Sequence, residues 1–92
     1  MVEDTQIAVK SKKARNFYLK GDFINSYEIW HELAKNGDSD SQAWIGAMYA
    51  NGDGREASNE KSFEWYLKAA KKGHAMAAAN VGAALYMGNG VK

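Results

Sequence analysis

The stretch WIGAMYANGDG occupies residues 44–54, and the related stretch VGAALYMGNG occupies residues 81–90. In both, a glycine interrupts an apolar helical pattern, and a Gly-x-Gly sequence follows. A shift of 36 residues aligns residues 25–56 with residues 61–92 without a gap, and ten of these 32 positions are identical. Because a period of about 20 to 50 residues is typical of stacked-repeat proteins, the sequence predicts repeats that share their apolar faces.

Two helices account for each period. The segment SNEKSFEWYLKAAKKG begins with Ser58 as an N-cap, ends at Gly73 and has apolar residues at helical spacing. The preceding helix has Gly46 at its centre, which costs roughly 1 kcal/mol of helix stability relative to Ala. We therefore expect a neighbouring backbone or a large aromatic side chain to contact Gly46, with Tyr49 one turn later on the same face, and we expect Gly82 to make the same kind of contact.

Upstream, the sequence repeats this unit with a shorter connector. The fold class predicted is all-α, with antiparallel helices arranged as two pairs and a single last helix, at residues 4–20, 23–36, 40–51, 59–72 and 75–87. One domain is expected over residues 1–92. Its parts are a first repeat at about 4–37, a second at about 38–73 and a half repeat at about 74–92.

Composition and charge exclude several classes of protein. Twelve basic and eleven acidic residues give a formal net charge of +1, which argues against a surface dedicated to nucleic acid or anionic membrane. The longest apolar stretch has about 14 residues, and a membrane span needs about 20. The first ten residues carry acids where a signal peptide carries bases. We therefore expect a cytoplasmic chain, while a periplasmic or secreted location stays open if the sequence is a piece of a longer one.

Candidate catalytic and metal motifs have simpler structural explanations. HELAK, residues 31–35, begins like a zinc-binding helix, but Lys35 stands where the second histidine is needed. With two histidines and no cysteine, the sequence predicts no metal site and no cofactor. Ser58 and Lys61 match the S-x-x-K motif of penicillin-recognising hydrolases, but the other motifs of those enzymes are missing, so we interpret Ser58 as a helix cap. We expect no enzymatic activity.

The first helix carries the one basic cluster, and aromatic residues occur throughout the chain. The basic residues oppose the dipole of that helix and are balanced by acids at its start, so we predict no nucleic-acid partner. Most aromatic residues occupy predicted core positions, namely Phe17, Phe23, Tyr27, Trp30, Tyr49, Phe63, Trp65 and Tyr66. Trp44 differs, because its counterpart 36 residues later is Asn80. It is predicted to be either packing or an exposed binding anchor.

Three segments, AWIGAMYANGDG, KSFEWYLKAAKKG and AAANVGAALYMGNGVK, resemble the Sel-one-like repeat, a subfamily of the tetratricopeptide repeat. The matching positions are Ile45, Gly46, Tyr49, Gly52, Gly54, Lys61, Trp65, Lys68, Ala69, Ala70 and Gly73. The first unit resembles an ordinary tetratricopeptide repeat at Ala14, Phe17, Gly21, Asp22, Phe23, Ser26, Trp30 and Leu33. Departures include Arg55, where Val is usual, and Leu85 at the usual Tyr position. The resemblance implies an α-solenoid, a right-handed superhelix of antiparallel helix pairs.

The resemblance also implies a function. In such arrays the first helices line a concave face that binds peptides or proteins, which implies a non-enzymatic adaptor or scaffold with a protein partner. The groove positions that it implies are Ala8, Ser11, Arg15, Tyr18, Asp40, Ala43, Ala47, Ala50, Met76, Ala79, Ala83 and Tyr86. Among them, the expected partner contacts are Arg15, Tyr18, Asp40, Met76 and Tyr86.

Two alternatives to this function stay open. The last helix has no partner helix within its own repeat, so a self-associating module could use its open face. Some cysteine-rich relatives of the repeat have been linked to β-lactam binding, so a small hydrolase or β-lactam-binding protein is the other alternative. Those relatives clamp helix pairs with disulfides, and this sequence has no cysteine.

Overall fold

Five α-helices and their connectors make up the described part of the chain. The structure is a computed structural model that describes the backbone of residues 2–88 and the side chains of residues 6–88. The helices are α1 (Val2–Leu19), α2 (Phe23–Lys35), α3 (Ser39–Asn51), α4 (Asn59–Lys71) and α5 (Ala75–Met87). Residues 2–88 contain no strand. The all-α prediction is confirmed, and each helix begins and ends within two residues of its predicted bounds.

Side chains cap four of the helices at their N-termini. Asp22 Oδ1 accepts from the backbone N–H of Asn25, and Asp38 Oδ2 accepts from that of Ser41, at 3.2 and 3.0 Å. Ser58 Oγ, the predicted cap, accepts from the N–H of Lys61 at 3.1 Å. These bonds satisfy backbone donors that a helix leaves unpaired at its start. At the other end of α4, Gly73 has a φ of +93°, so the predicted stop is confirmed.

The helices stack in chain order. The main packing pairs are consecutive, α1 with α2, α2 with α3, α3 with α4 and α4 with α5, and the molecule measures 40 × 28 × 17 Å. Packing that is mainly between sequence neighbours is the defining property of a helical-repeat array, so the predicted α-solenoid is confirmed. No helix in residues 2–88 has both the length and the apolarity to span a bilayer.

Two apolar clusters hold the array together. The larger joins α1, α2 and α3 around Trp30, which is fully buried, as are Ala14, Ile45 and Met48. The Trp44 ring stacks on Trp30 with centroids 4.2 Å apart. The smaller cluster joins α3, α4 and α5 through the alanines Ala43, Ala69 and Ala77, with Tyr66 and Ala70 packed against it. The last helix is therefore held mainly by small side chains.

The glycine in the middle of α3 lies directly under an aromatic ring. A Cβ atom on Gly46 would lie 3.0 to 3.1 Å from three ring carbons of Tyr66 on α4, so the expected close aromatic contact is confirmed. The expectation for Gly82 is wrong, because nothing in the described chain lies within 4 Å of a Cβ atom placed there. The reason is that α4 covers Gly46, whereas no described helix packs on the matching side of α5.

Candidate partner-binding groove

A largely apolar cavity opens between α3 and α5, at predicted groove positions. Its volume is about 340 Å³, and it is lined by Asp40, Ala43, Trp44, Ala47, His74 and Met76. We call it the α3–α5 cavity. The structure thus brings together Asp40, Met76 and Trp44, whereas Arg15, Tyr18 and Tyr86 lie outside its lining. The cavity is wide enough for one large apolar side chain, with polar groups at its edge from Asp40 and His74.

Trp44 is half-buried and belongs to the packing as well as to the cavity. Besides stacking on Trp30, its ring lies 5.3 Å from the ring of Tyr18, centroid to centroid. Aromatic contacts on the core side fix the indole, so the wall that Trp44 gives to the cavity is rigid. Packing and partner binding, the two roles predicted for Trp44, are therefore compatible with its position.

Tyr18 is tied into the fold through its hydroxyl. The hydroxyl donates a hydrogen bond of 2.6 Å to Asp53 Oδ2 in the connector after α3. This bond to the carboxylate raises the pKa of Tyr18, and burial of the ring raises the pKa further. Because its hydroxyl is occupied and its ring packs against Phe23, Trp30 and Trp44, Tyr18 supports the wall of the groove from behind.

His74 joins α5 to α3 at the edge of the cavity. Its Nδ1 accepts from the backbone N–H of Ala77 at 3.1 Å, which caps α5, and its Nε2 donates to Asp40 Oδ1 at 3.0 Å. His74 therefore lies in the connector between α4 and α5 and also caps the helix that follows it. The repeat offered a signal, since His74 follows the capping residue Asp38 by 36 positions, just as Ser58 follows Asp22. Histidine is not among the common caps, so propensity alone does not find it.

Besides Asp40, three further expected contacts are freely accessible. Arg15 is exposed on α1, Met76 is 57% exposed in the first turn of α5, and Tyr86 is 93% exposed in its last turn. Met76 and Tyr86 are ten residues apart on one helix, a separation of about 15 Å along its axis. They therefore mark two ends of an extended surface, and a single small ligand would not contact both.

A second cluster, around Arg55, was not identified from the sequence. The guanidinium carbon of Arg55 lies 3.3 Å above the ring of Tyr27, whose hydroxyl is 3.1 Å from that of Tyr49. Burial, followed by the bond to Tyr49, raises the pKa of Tyr27 to about 12. The ring of His31 also stacks on the ring of Tyr27, with the two centroids 5.1 Å apart. The arrangement is a cation–π and aromatic stack between connector and helices.

The residues considered for catalysis and for nucleic-acid binding make contacts that belong to the fold or lie beside acidic residues. Ser58 Oγ is engaged as a cap, and Lys61 Nζ lies 5.5 Å from the ring centroid of Tyr49. On the first helix, Lys10 and Lys13 line a surface cavity of about 310 Å³ whose other lining residues include Glu28 and Glu32. The lysines therefore border a surface of mixed charge, which does not favour a polyanion.

The chain is similar to known repeat proteins. The sequence pattern of the Sel1 repeat matches residues 39–74 and 75–92, more than half of the chain. Among solved structures, the crystal structure of a Sel1 repeat protein from Oxalobacter formigenes is similar, with 29% sequence identity and a TM-score of 0.82. This similarity covers 97% of this chain and 70% of that chain. A comparison with curated proteins finds no match. The chain belongs to the Sel1 repeat family, whose members are in general non-enzymatic helical-repeat scaffolds for protein interaction.

Proposed function

We propose that this protein is a non-enzymatic adaptor that binds a peptide or protein partner along the face formed by α1, α3 and α5. The observation that carries the proposal is the α3–α5 cavity, which is apolar inside and has Asp40 and His74 at its edge. An apolar side chain of the partner would enter the cavity beside Trp44. A polar group of the same partner would meet the carboxylate of Asp40, which is largely exposed.

The exposed residues beside the cavity support a peptide-binding role. Arg15 provides a cation on α1, while Met76 and Tyr86 provide apolar area that no helix of residues 2–88 covers. Aromatic, methionine and arginine side chains are enriched where proteins bind one another. Alanines between these residues leave room for a backbone to approach. We expect transient binding, because such a surface is small relative to the interfaces of permanent complexes.

Capture from the native lysate tests this proposal. The wild-type chain is compared with a groove variant, Arg15→Ala with Met76→Ala, and with a control variant, Lys71→Ala with Ile24→Ala. The control removes one exposed cation and one exposed apolar side chain elsewhere. We expect a defined set of proteins to be captured by the wild type and the control, and to be depleted about tenfold by the groove variant.

Site-specific photocross-linking separates direct contact from indirect effects. A photoreactive amino acid at position 76 is expected to cross-link the captured partner, whereas the same group at position 24 should not. Equal capture by the groove variant and the wild type, or cross-linking from position 24 alone, would contradict the proposed surface.

A further inference from the structure

One side of α5 has the same alanine and glycine as the side of α3 that packs against α4. On α3, Ala43 and Gly46 are buried against α4. Their counterparts 36 residues later are the identical residues Ala79 and Gly82, and both are exposed. Leu85, one turn beyond Gly82, is 60% exposed. We call the surface of Ala79, Gly82 and Leu85 the outer face of α5.

The structure shows what this kind of surface binds. On α3 the ring of Tyr66 lies so close over Gly46 that a Cβ atom would meet it at 3.0 Å. One turn further along α4, Ala69 and Ala70 pack beside Ala43. A surface with an alanine and a glycine one turn apart therefore fits a helix that carries an aromatic ring followed by small residues. The small residues on both helices let them approach closely. Within the part of the chain that the structure describes, nothing lies within 4 Å of a Cβ atom placed at Gly82.

From this vacancy we propose that the outer face of α5 binds, in trans, an amphipathic helix of a partner protein that places an aromatic ring over Gly82. The interface would continue that of α4 on α3 at the same 36-residue offset. A second copy of this chain is not the favoured occupant, because its own helix of this type, α4, already packs between α3 and α5 and its Tyr66 covers Gly46. This site shares no lining residue with the α3–α5 cavity and does not depend on the proposed function, although Ala79 is one of the groove positions that the family resemblance implies.

A peptide copy of α4 is the probe for this site. A fluorescent peptide of residues 58–73 has the side chains that fit Gly46, and we expect it to bind the 92-residue protein saturably in fluorescence anisotropy. A Tyr66→Ala version of the peptide should bind about tenfold more weakly, because truncating a central aromatic anchor commonly has an effect of this size. Its remaining sequence is identical, so it controls for nonspecific binding.

Substitutions in the protein locate the peptide on α5. Gly82→Leu fills the vacant position with a good helix former, so the fold is retained while peptide affinity falls about tenfold or more. Asn16→Leu adds the same side chain at an exposed position of α1 outside the groove positions and should leave peptide affinity unchanged. Circular dichroism and thermal unfolding of both variants verify that each remains folded.

The outcomes separate this proposal from the groove proposal. Equal binding of the two peptides, or unchanged peptide affinity in Gly82→Leu, would overturn the helix site. The proposal would also be overturned, in favour of a second copy, if the protein did not bind the peptide but formed a dimer in sedimentation and Gly82→Leu abolished that dimer. The effect of Arg15→Ala with Met76→Ala on partner capture reports on the groove, and that substitution pair should not alter binding of the α4 peptide.

Discussion

Gly46 and Gly82 are equivalent in the repeat, but Gly46 is buried under an aromatic ring and Gly82 is exposed. The same substitution should therefore have opposite effects on stability at the two positions. Gly82→Ala adds a methyl group where no described residue lies within 4 Å and improves helix propensity, so we expect the free energy of unfolding to rise by up to about 1 kcal/mol. Gly46→Ala forces the added carbon against the ring of Tyr66, and overpacking of this kind costs about 1 to 3 kcal/mol. Urea unfolding of the two variants measures both effects.

Each variant controls the other, because both exchange the same residue type in the middle of a 13-residue helix. Two shifts of the same sign and size would mean that Tyr66 moves aside without cost or that the position on α5 is not vacant. In that case the proposed helix site on α5 would lose its structural template.

Some residue roles follow from the sequence because the repeat displays them twice. The Gly46 contact and the Ser58 cap are predictable, since a glycine inside a helix and a serine before one each have few physical explanations. The role of His74 as a cap is visible only when it is aligned with Asp38. The role of Arg55 is not visible at all, because a cation–π contact between a connector and α2 depends on where the connector folds back.

Helices α2 and α4 meet around His31, and this contact predicts a pH dependence. Burial against Tyr27 and Trp65 lowers the pKa of His31 below its ordinary 6.5, and the positive charges of Lys35 and Arg55 lower this pKa further. The folded state therefore binds this proton less readily than the unfolded state. Stability is unaffected above pH 6.5 and falls as the pH decreases from 6.5 through the folded pKa.

Urea unfolding between pH 8 and pH 5 measures this effect by comparison with His31→Phe, which keeps a ring in the stack and has no titrating group. The wild type should lose stability relative to the variant as the pH falls below 6.5. Titration of the His31 ring protons by NMR should give a higher pKa in Arg55→Gln, since one neighbouring cation is removed. Parallel stability curves for wild type and His31→Phe would contradict this account.

The existence and order of the helices are predictable from the sequence because α2 and α4 have apolar residues at helical spacing and the repeated unit locates the other helices next to them. Antiparallel stacking follows from the short connectors, and the repeat offset places α3 and α5 in matching positions. The cavity between α3 and α5 is a less direct consequence. It depends on the small side chains of Ala43 and Ala47 and on how Trp44 stacks on Trp30, and neither its volume nor the bond between His74 and Asp40 can be read from spacing.

Stability should be distributed unevenly along the array. Four residues of α2 and six of α3 are buried, compared with two in α4 and only Ala77 in α5. In a repeat array each helix is stabilised chiefly by its neighbours, so a helix with a neighbour on one side opens more easily than one between two others. The described part of the chain therefore has its most stable region at α2 and α3, around Trp30.

Native-state hydrogen exchange measures this gradient. We expect amides of α2 and α3 to exchange through global unfolding, and those in the middle of α5 to have protection factors at least about tenfold lower, reflecting local opening. Saturation with the α4 peptide should raise the protection of α5 selectively, because a ligand stabilises the state that it binds. Gly82→Ala should also raise protection in α5, through propensity alone. If α5 were protected as strongly as α3 without peptide, its outer face would already be covered, and a site open to a partner helix would not exist there.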